Sequence, residues 1–477
     1  MRITLFALNG SYAHSNLAIR ILRDALEQNG CDGVTLVEGT LRDKKSDLLA
    51  QLVATRGDIF GFSCYIWNIE DMKAIAADLK ALCPACRIVF GGPEVSYATE
   101  RFTALDFVDC VLVGEGEDVI VELVRTAEEG EALPRQWIGT PDPRFAERGI
   151  HYRENEPVSS LVYYESSRGC PYSCAFCLSS ATAGVRAKSA EKTLADLRQF
   201  EAFSAPLTVK LVDRTFNFDR ARAKAIWRGL LDEGYTKCYH FEICASLLDE
   251  ESFKILSRFP KGKVRLEIGL QSTNEQTLSA ISRHTDAERV LTAAKRLTER
   301  GNVHVHLDLI AGLPYEDMSS FRASFDAAYF ACDILQLGFL KLLHGTALRR
   351  DAEALGIRFS PTSPYTVLKT PWLSYEELCL LQDMADLLDR LCEKGRFARS
   401  LPFLLKKLSS PFDFYRGFAL YLACETGKKL QKISQRDLFS LLAAYGAGLV
   451  APEDGASFKA LLREDFETAE VRRAPQF

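Results

Sequence analysis

The chain has 477 residues, 47% of them hydrophobic and 26% charged, which is enough apolar mass for large cores and about three domains. Its formal charge of −5 gives no overall basic footprint for nucleic acid, and no apolar run reaches the roughly 18 residues of a membrane span. The opening Met1-Arg-Ile-Thr-Leu-Phe-Ala-Leu reads as a strand without a signal-peptide cleavage pattern, and 14 cysteines fit a soluble enzyme of the reducing cytoplasm.

Residues 1–140 alternate strand and helix. Strands are expected at Ile3–Ala7, Val34–Val37, Ile59–Ser63, Ile88–Phe90 and Cys110–Val113. Helical patterns lie near Asn16–Gln28, Asp47–Thr55, Ile69–Leu82 and Tyr97–Leu105, and a last helix begins near Glu117. Short apolar strands alternating with helices imply a Rossmann-like, doubly wound parallel sheet. Such sheets bind ligands beyond the carboxyl ends of their strands. The loops there read Asn9-Gly10-Ser11-Tyr12, Ser63-Cys64-Tyr65, Gly91-Gly92-Pro93-Glu94 and Gly114-Glu115-Gly116-Glu117. Glycine at those places lets backbone approach a flat or bulky ligand. Residues 141–160, with Pro141, Pro143, Gly149 and Glu154-Asn-Glu-Pro157, read as a linker or an irregular crossing segment.

From 161 to 360 the β/α pattern returns in longer units. Strands are expected at Leu161–Glu165, Thr208–Asp213, Tyr239–Cys244, Lys263–Gly269, Val303–Ile310 and Ile334–Leu340. Six such units suit a partial (β/α)6 TIM-like barrel, whose chemistry collects at the strand C-termini. The first strand leads into Arg168-Gly-Cys170-Pro-Tyr-Ser-Cys174-Ala-Phe176-Cys177. Three thiolates at this CxxxCxxC spacing can hold three irons of a cubane cluster and leave the fourth iron open to a ligand. A zinc site would ask for a fourth ligand, and no Cys or His stands nearby at a standard spacing. The later strand ends carry Asp213, Arg214, Glu242, Glu267, Gln271, Ser272 and Asp308, and charges inside a barrel are costly unless paired or bound to a ligand.

Residues 361–477 turn helical, with periodicity at Tyr375–Lys394, Leu401–Leu408, Tyr415–Glu425, Gln435–Tyr445 and Ser457–Asp465, punctuated by prolines. The aromatic run Pro411-Phe-Asp-Phe-Tyr-Arg-Gly-Phe418 has two readings, pocket lining or helix packing, and packing is the default.

The CxxxCxxC segment with Phe176 before its last cysteine resembles the signature of radical S-adenosylmethionine (SAM) enzymes. The glycine loops at 91–94 and 114–117 resemble the cobalamin-binding domain of the cobalamin-dependent branch. The C-terminal helices resemble a domain of unknown function found in a subset of that branch. No Asp-x-His-x-x-Gly motif occurs among the seven histidines, so a cobalt-ligating histidine of the methionine-synthase kind is not implied, and a domain that keeps the fold without the cofactor stays open.

The resemblance implies a [4Fe-4S] cluster on Cys170, Cys174 and Cys177. It implies SAM contacts at Phe176, Asp213, Glu242, Glu267, Gln271, Ser272, Gly312 and Pro314. It implies cobalamin contacts at Asn9, Ser11, Tyr12, Ser63, Tyr65, Gly91, Gly92, Gly114, Glu115 and Gly116. For Asp213, Arg214 and Glu242 an internal salt bridge is the alternative. His14 stands either near the corrin or as a helix-start residue. Lys341 and His344 face substrate or solvent. Cys64 and Cys244 pack or meet a radical, and Cys83-Pro-Ala-Cys86 reads as packed thiols.

The activity so implied is reductive cleavage of SAM to a 5′-deoxyadenosyl radical, with methylation of an unactivated carbon. The partners are a small-molecule or peptide substrate and a reductant such as flavodoxin or ferredoxin, without nucleic acid or membrane. Cyclisation or rearrangement uses the same cofactors and is the second reading. A cobalamin or iron–sulfur sensor is the third, although no DNA-reading output element is recognisable.

Overall fold

In the computed structural model, the described residues are 1–153, 156, 159–181, 184–205, 207–392 and 395–469. The N-terminal sheet has six parallel strands, β1 (Ile3–Asn9), β2 (Val34–Thr40), β3 (Ile59–Ser63), β4 (Arg87–Gly91), β5 (Cys110–Val113) and β6 (Gln136–Ile138), in the order β2-β1-β3-β4-β5-β6. Alternate side chains of each strand feed opposite faces. Phe6, Phe62, Ile88 and Phe90 meet helices Lys45–Thr55 and Ile69–Leu82 on one side. Leu5, Ala7, Val89 and Leu112 meet helices Leu17–Gln28 and Glu117–Glu128 on the other. Burial on both faces is why these strands read as apolar runs. The expected helix over Tyr97–Leu105 is instead two short helices, Pro93–Ser96 and Glu100–Thr103. The Ser96 hydroxyl donates to the Gly92 carbonyl at 2.9 Å and accepts the Gly114 N–H at 3.2 Å, so it ties two cavity-side loops together as the first helix ends.

Residues 141–160, expected as a linker or an irregular crossing segment, have described residues packed against the N-terminal domain. Phe145 is buried, and Asp142 and Arg148 form a buried ion pair. Glu156 holds Arg20 at 2.9 Å and Arg23 at 3.0 Å. Of the Glu154–Pro157 cluster, residues 154, 155 and 157 lie outside the described residues.

The second sheet begins with β7 (Leu161–Tyr164). A two-stranded antiparallel ribbon, β8 (Ser167–Gly169) with β9 (Val185–Ala187), brackets the cysteine loop. Then come β10 (Thr208–Leu211), β11 (Cys238–Ile243), β12 (Val264–Gln271), β13 (His304–Ala311) and β14 (Ile334–Phe339). The parallel order is β7-β10-β11-β12-β13-β14, with β7 and β14 as its two edges, so the barrel is partial. Val209, Leu211, Phe241, Leu266, Ile268, Val305 and Leu307 pack into the surrounding core. The intervening positions face the lumen and are largely polar.

A small antiparallel pair, β15 (Arg358–Phe359) and β16 (Val367–Lys369), straddles the expected boundary at residue 360. Helices Tyr375–Cys392, Ser400–Leu405, Pro411–Thr426, Gln435–Ala447 and Pro452–Thr468 follow; the expected helix end at Lys394 lies outside the described residues. Phe412, Phe414, Tyr415 and Phe418 are buried in one core shared with the barrel, and Tyr415 meets Tyr329 of a barrel helix hydroxyl to hydroxyl at 3.0 Å. The aromatic run is therefore helix packing, and these helices cover the side of the barrel. Among the described residues, no helix is long and apolar enough to cross a membrane.

Candidate functional site

A cavity of about 730 Å3 opens beyond the carboxyl ends of β1, β3, β4 and β5, where that sheet meets the barrel. Asn9, Ser63, Tyr65, Gly91, Gly92, Gly114, Glu115 and Gly116 line it from the N-terminal side, and Tyr163, Glu165, Arg168, Gly169 and Arg214 from the barrel side. Its size is that of a site for a sizeable organic ligand. Ser11 and Tyr12 are not in this lining, contrary to expectation; Tyr12 is exposed and its hydroxyl donates to Asp43. No described residue beyond 214 lines this cavity.

Gly92 explains the Gly-Gly-Pro-Glu turn. Its φ is +118°, and a Cβ there would sit 2.5 Å from the Cys64 carbonyl oxygen. The Cys64 N–H in turn donates to the Gly91 carbonyl at 2.7 Å, so the loops after β3 and β4 touch backbone to backbone. Gly91 borders the cavity directly, and a Cβ there would come within 3.7 Å of Leu112 Cβ. Tyr65 and Trp67 stack with centroids 4.3 Å apart and both line the cavity, Trp67 half-exposed. Trp67 escaped the sequence reading, although it follows the Ser-Cys-Tyr loop by two residues. An aromatic plate, glycine-bared backbone and an apolar interior suit a flat macrocycle such as a corrin.

His14 borders the same cavity. Its Nδ1 is 2.6 Å from the Tyr163 hydroxyl, and the two rings are parallel. Burial and then Lys210 lower its pKa, which favours the neutral ring. Asn16, not His14, caps the following helix by accepting the Ile19 N–H at 3.1 Å.

The cysteine loop hangs between fixed points. The Ala175 N–H donates to Ile281 O and the Leu348 N–H to Ala175 O, both at 2.9 Å. Gly169 has φ +98°, and a Cβ there would lie 2.2 Å from Gly184 O where β8 meets β9. Cys170 and Cys177 are half-buried and Cys174 is buried. Burial pushes the Cys174 thiol up, while Arg283, 3.7 Å away, opposes that rise. All 14 cysteines are unpaired. Among the described residues no three Cys, His, Asp or Glu side chains converge on one metal ion; a cubane asks for something else, since each thiolate binds a different iron. A partly exposed cysteine triad with an arginine against one sulfur fits that demand. Phe176 is half-buried against the barrel core.

Inside the barrel, Glu242, Glu267 and His306 lie in register on successive strands. Lys210 Nζ is 2.6 Å from Glu267 and 3.7 Å from Glu242. Burial alone would raise Glu267, but His240 and Lys210 outweigh it and hold the carboxyl at about 2. Burial and then Glu267 raise Glu242. Burial, then Glu267 and Glu242, push Asp308 up to about 8, and its Oδ1 is buried without a hydrogen-bond partner. The Gln271 Oε1 is likewise buried and unpaired, at a residue with φ +70°. Orphaned polar atoms of this kind point to a polar ligand or ordered water. Arg214 is exposed and borders the cavity.

Other strand-end residues are committed elsewhere. Asp213 is fully buried; one oxygen accepts the N–H groups of Ser166 and Ser167 at 2.8 and 2.9 Å, and the other accepts the Ser166 hydroxyl. Ser272 is buried and donates to Glu316 while accepting the Asn274 N–H. Gly312, at φ +88°, faces Val367, which a Cβ would meet at 2.6 Å, and Pro314 is buried beside it. Asp213 and Ser272 therefore pin loops, and the Cβ position of Gly312 is filled by protein. Lys341 is exposed, and His344 accepts from Arg101 at 2.8 Å; neither borders the cavity. Cys64 is wholly buried, with burial raising its pKa strongly. Cys244 is buried and takes a hydrogen bond from Tyr172 at 3.3 Å. Cys86 is buried and Cys83 half-buried.

Across the cavity wall, Arg168 gathers three carboxylates. It reaches Glu115 at 2.5 Å, Glu117 at 2.8 Å and Glu165 at 2.7 Å, and its guanidinium lies 4.9 Å from the centre of the Phe145 ring. Glu115 also accepts from Arg186 and from the Asp142 N–H. Glu115 thus borders the cavity with both oxygens already engaged.

Three family models match the chain: B12 binding domain over residues 3–124, Radical SAM superfamily over 164–328, and Protein of unknown function (DUF4080) over 353–476. Among curated proteins, 2-(S-pantetheinyl)-carbapenam-3-carboxylate methyltransferase of Streptantibioticus cattleyicolor is 27% identical over 306 residues, 56% of this chain and 44% of that protein. Hopanoid C-3 methylase of Methylococcus capsulatus is 24% identical over 325 residues, 62% of this chain and 60% of that one. The match to the carbapenam methyltransferase therefore spans less than half of that relative's length. Among solved structures, the radical SAM methyltransferase TsrM from Kitasatospora setae, with cobalamin and a [4Fe-4S] cluster bound, aligns at TM-score 0.66 and 16% identity, over 98% of this chain and all of that one. The cobalamin-dependent enzyme OxsB, with aqua-cobalamin bound, aligns at TM-score 0.62 and 16% identity, over 98% and 80%. At these identities the structural likeness is one of fold.

Proposed function

We propose that this chain, a radical SAM protein with a B12-binding domain and a C-terminal DUF4080 domain, is a cobalamin-dependent methyltransferase acting on an unactivated carbon. One observation carries the reading: a single cavity has the glycine loops of the B12-binding domain as one wall and the residues leading into Cys170 as another. A corrin in that cavity and SAM at the cluster would then face the same space, as a methyl transfer between them requires. When bound, the cluster would supply the electron that cleaves SAM, and cobalamin the methyl group.

The chain's own part is binding and placement. Cys170, Cys174 and Cys177 would hold the cluster, and the fixed ends of their loop set its position. Gly91, Gly92 and Gly114 would bare backbone to the corrin, and Tyr65 with Trp67 would stack against it. Glu242 and Gln271 line the barrel lumen where SAM would lie, with carboxylate and amide groups suited to its ammonium and ribose. Glu267, charged and paired with Lys210, would offer an acceptor that needs no proton removed. Asp308, whose pKa burial and its neighbouring carboxylates push up to about 8, would offer a donor when protonated. Phe176 would pack beside the adenine. Substrate then enters between the two walls, near Arg214.

The acceptors named for two relatives, a carbapenam carboxylate and a hopanoid, are of unrelated kinds. The substrate class proposed here stays broad: a small molecule or peptide, with flavodoxin or ferredoxin as reductant in a reducing cytoplasm. The test is to incubate reconstituted protein with SAM and a strong reductant, then assay 5′-deoxyadenosine and S-adenosylhomocysteine by mass spectrometry. Both should form, and a triple Cys170/Cys174/Cys177→Ala variant should lose 5′-deoxyadenosine. 5′-Deoxyadenosine from cobalt-loaded protein without S-adenosylhomocysteine would count against methyl transfer and for rearrangement.

A further inference from the structure

We infer that Arg168 is a positioning residue that couples occupancy of the cavity to the geometry of the cysteine loop, so that ligands at the two sites bind cooperatively. The inference rests on the proposed function above. Arg168 is two residues before Cys170, at the centre of β8. Its guanidinium spends Nη1 on Glu115, Nη2 on both Glu117 and Glu165, and Nε on Glu165. Glu115 and Glu117 belong to the N-terminal domain, from the Gly114–Glu117 loop that borders the cavity. Glu165 directly follows β7. One planar cation therefore binds both walls through directional hydrogen bonds.

The surroundings make that contact stiff. The Arg168 side chain is 17% exposed and that of Glu117 is 4% exposed. The Phe145 ring covers the guanidinium, and Arg186 holds the far oxygen of Glu115. A buried fork of this kind contributes little net stability, because desolvation offsets its attraction. What it fixes is position. Gly169, packed against Gly184, leaves the chain between Arg168 and Cys170 no slack. A ligand that settles the 114–117 loop must therefore also settle the cysteine loop. Any such coupling is reciprocal: cobalamin tightens SAM binding by the factor by which SAM tightens cobalamin.

The test is calorimetric titration of SAM into anaerobically reconstituted protein, with and without bound hydroxocobalamin. In the parent chain the SAM Kd should fall about 5- to 150-fold on cobalamin loading, the usual span of such coupling. In R168Q that ratio should fall to about one, whatever affinity each ligand keeps alone. E115Q, which changes no residue of the cysteine loop, should lose the ratio in the same way, whatever affinity each ligand keeps alone, and carries the test if R168Q does not fold. The reduced cluster's electron paramagnetic resonance signal should shift on cobalamin loading in the parent and stay fixed in both variants. A ratio near one in the parent, or one that both variants retain, overturns the coupling. Absence of bound cobalt in the parent would instead overturn the functional reading beneath it.

Discussion

The Tyr365 hydroxyl, from the segment between β15 and β16, donates to the buried carboxyl of Glu94 in the Gly-Gly-Pro-Glu turn. The same phenol accepts from Arg101 at 2.8 Å. Burial raises the Glu94 pKa, and Tyr365 and Arg101 hold that rise in check. Tyr365→Phe should therefore cost about 1–3 kcal/mol of stability, the price of an unsatisfied buried polar group. Because the variant raises the Glu94 pKa further, its deficit should grow with pH, being smallest where Glu94 is protonated in both states. Urea midpoints across pH check both; equal midpoints for parent and variant would contradict them.

Asp308 gives a second pH dependence. Burial and the neighbouring carboxylates push its pKa up to about 8 in the folded chain, against about 4 when unfolded. A raised acid stabilises the fold fully below the unfolded value, and that contribution is lost as pH rises toward the folded one. Relative to Asp308→Asn, the parent should lose stability from about pH 4 to about pH 8, by at most about 1.4 kcal/mol per unit, and level off above. Parallel curves for the two proteins would contradict the assignment.

Gly92→Ala would put a methyl 2.5 Å from Cys64 O at φ +118°. The turn must distort, at a cost of roughly 1–3 kcal/mol, and it borders the cavity. Cobalt retained after reconstitution should fall well below the parent's while iron stays the same. Cobalt content matching the parent would contradict the role given to this turn.

Asp213→Ala separates a pin from a SAM contact. Removing it leaves two backbone N–H groups and the Ser166 O–H without an acceptor, although the Ser166 oxygen still accepts from Arg222 at 2.7 Å, so stability should fall by about 2–4 kcal/mol. Unfolding midpoint and SAM Kd, measured together, decide. An unchanged midpoint with weakened SAM binding would return Asp213 to the ligand.

Most strands were legible because both of their faces are buried, which leaves short apolar runs such as Ile-Phe-Gly-Phe-Ser that end at glycine or a polar loop. β6 was not, because Gln136-Trp-Ile is a three-residue edge with exposed ends and shows no period. The β8–β9 ribbon was hidden for a related reason: its shape comes from Gly169 meeting Gly184 across the cysteine loop, a contact without a local pattern. The cysteine triad and glycine loops announced themselves through residue type and spacing. Asp213 and Ser272 did not, since a polar strand end looks the same whether it faces a ligand or a loop. Ser166 lies 47 residues from Asp213, and only the fold brings them together. Trp67 and Arg168 were overlooked because their importance lies in what stands across the cavity from them.

The central claim, that one cavity wall serves a corrin and the other an iron–sulfur cluster, is tested most directly by counting metals. The protein would be reconstituted anaerobically with iron, sulfide and hydroxocobalamin, desalted and assayed for iron and cobalt beside the Cys170/Cys174/Cys177→Ala variant. About four irons and one cobalt per chain are predicted, with iron lost and cobalt kept in the variant. Iron without cobalt would contradict the cobalamin site, and no iron in the parent would contradict the account as a whole.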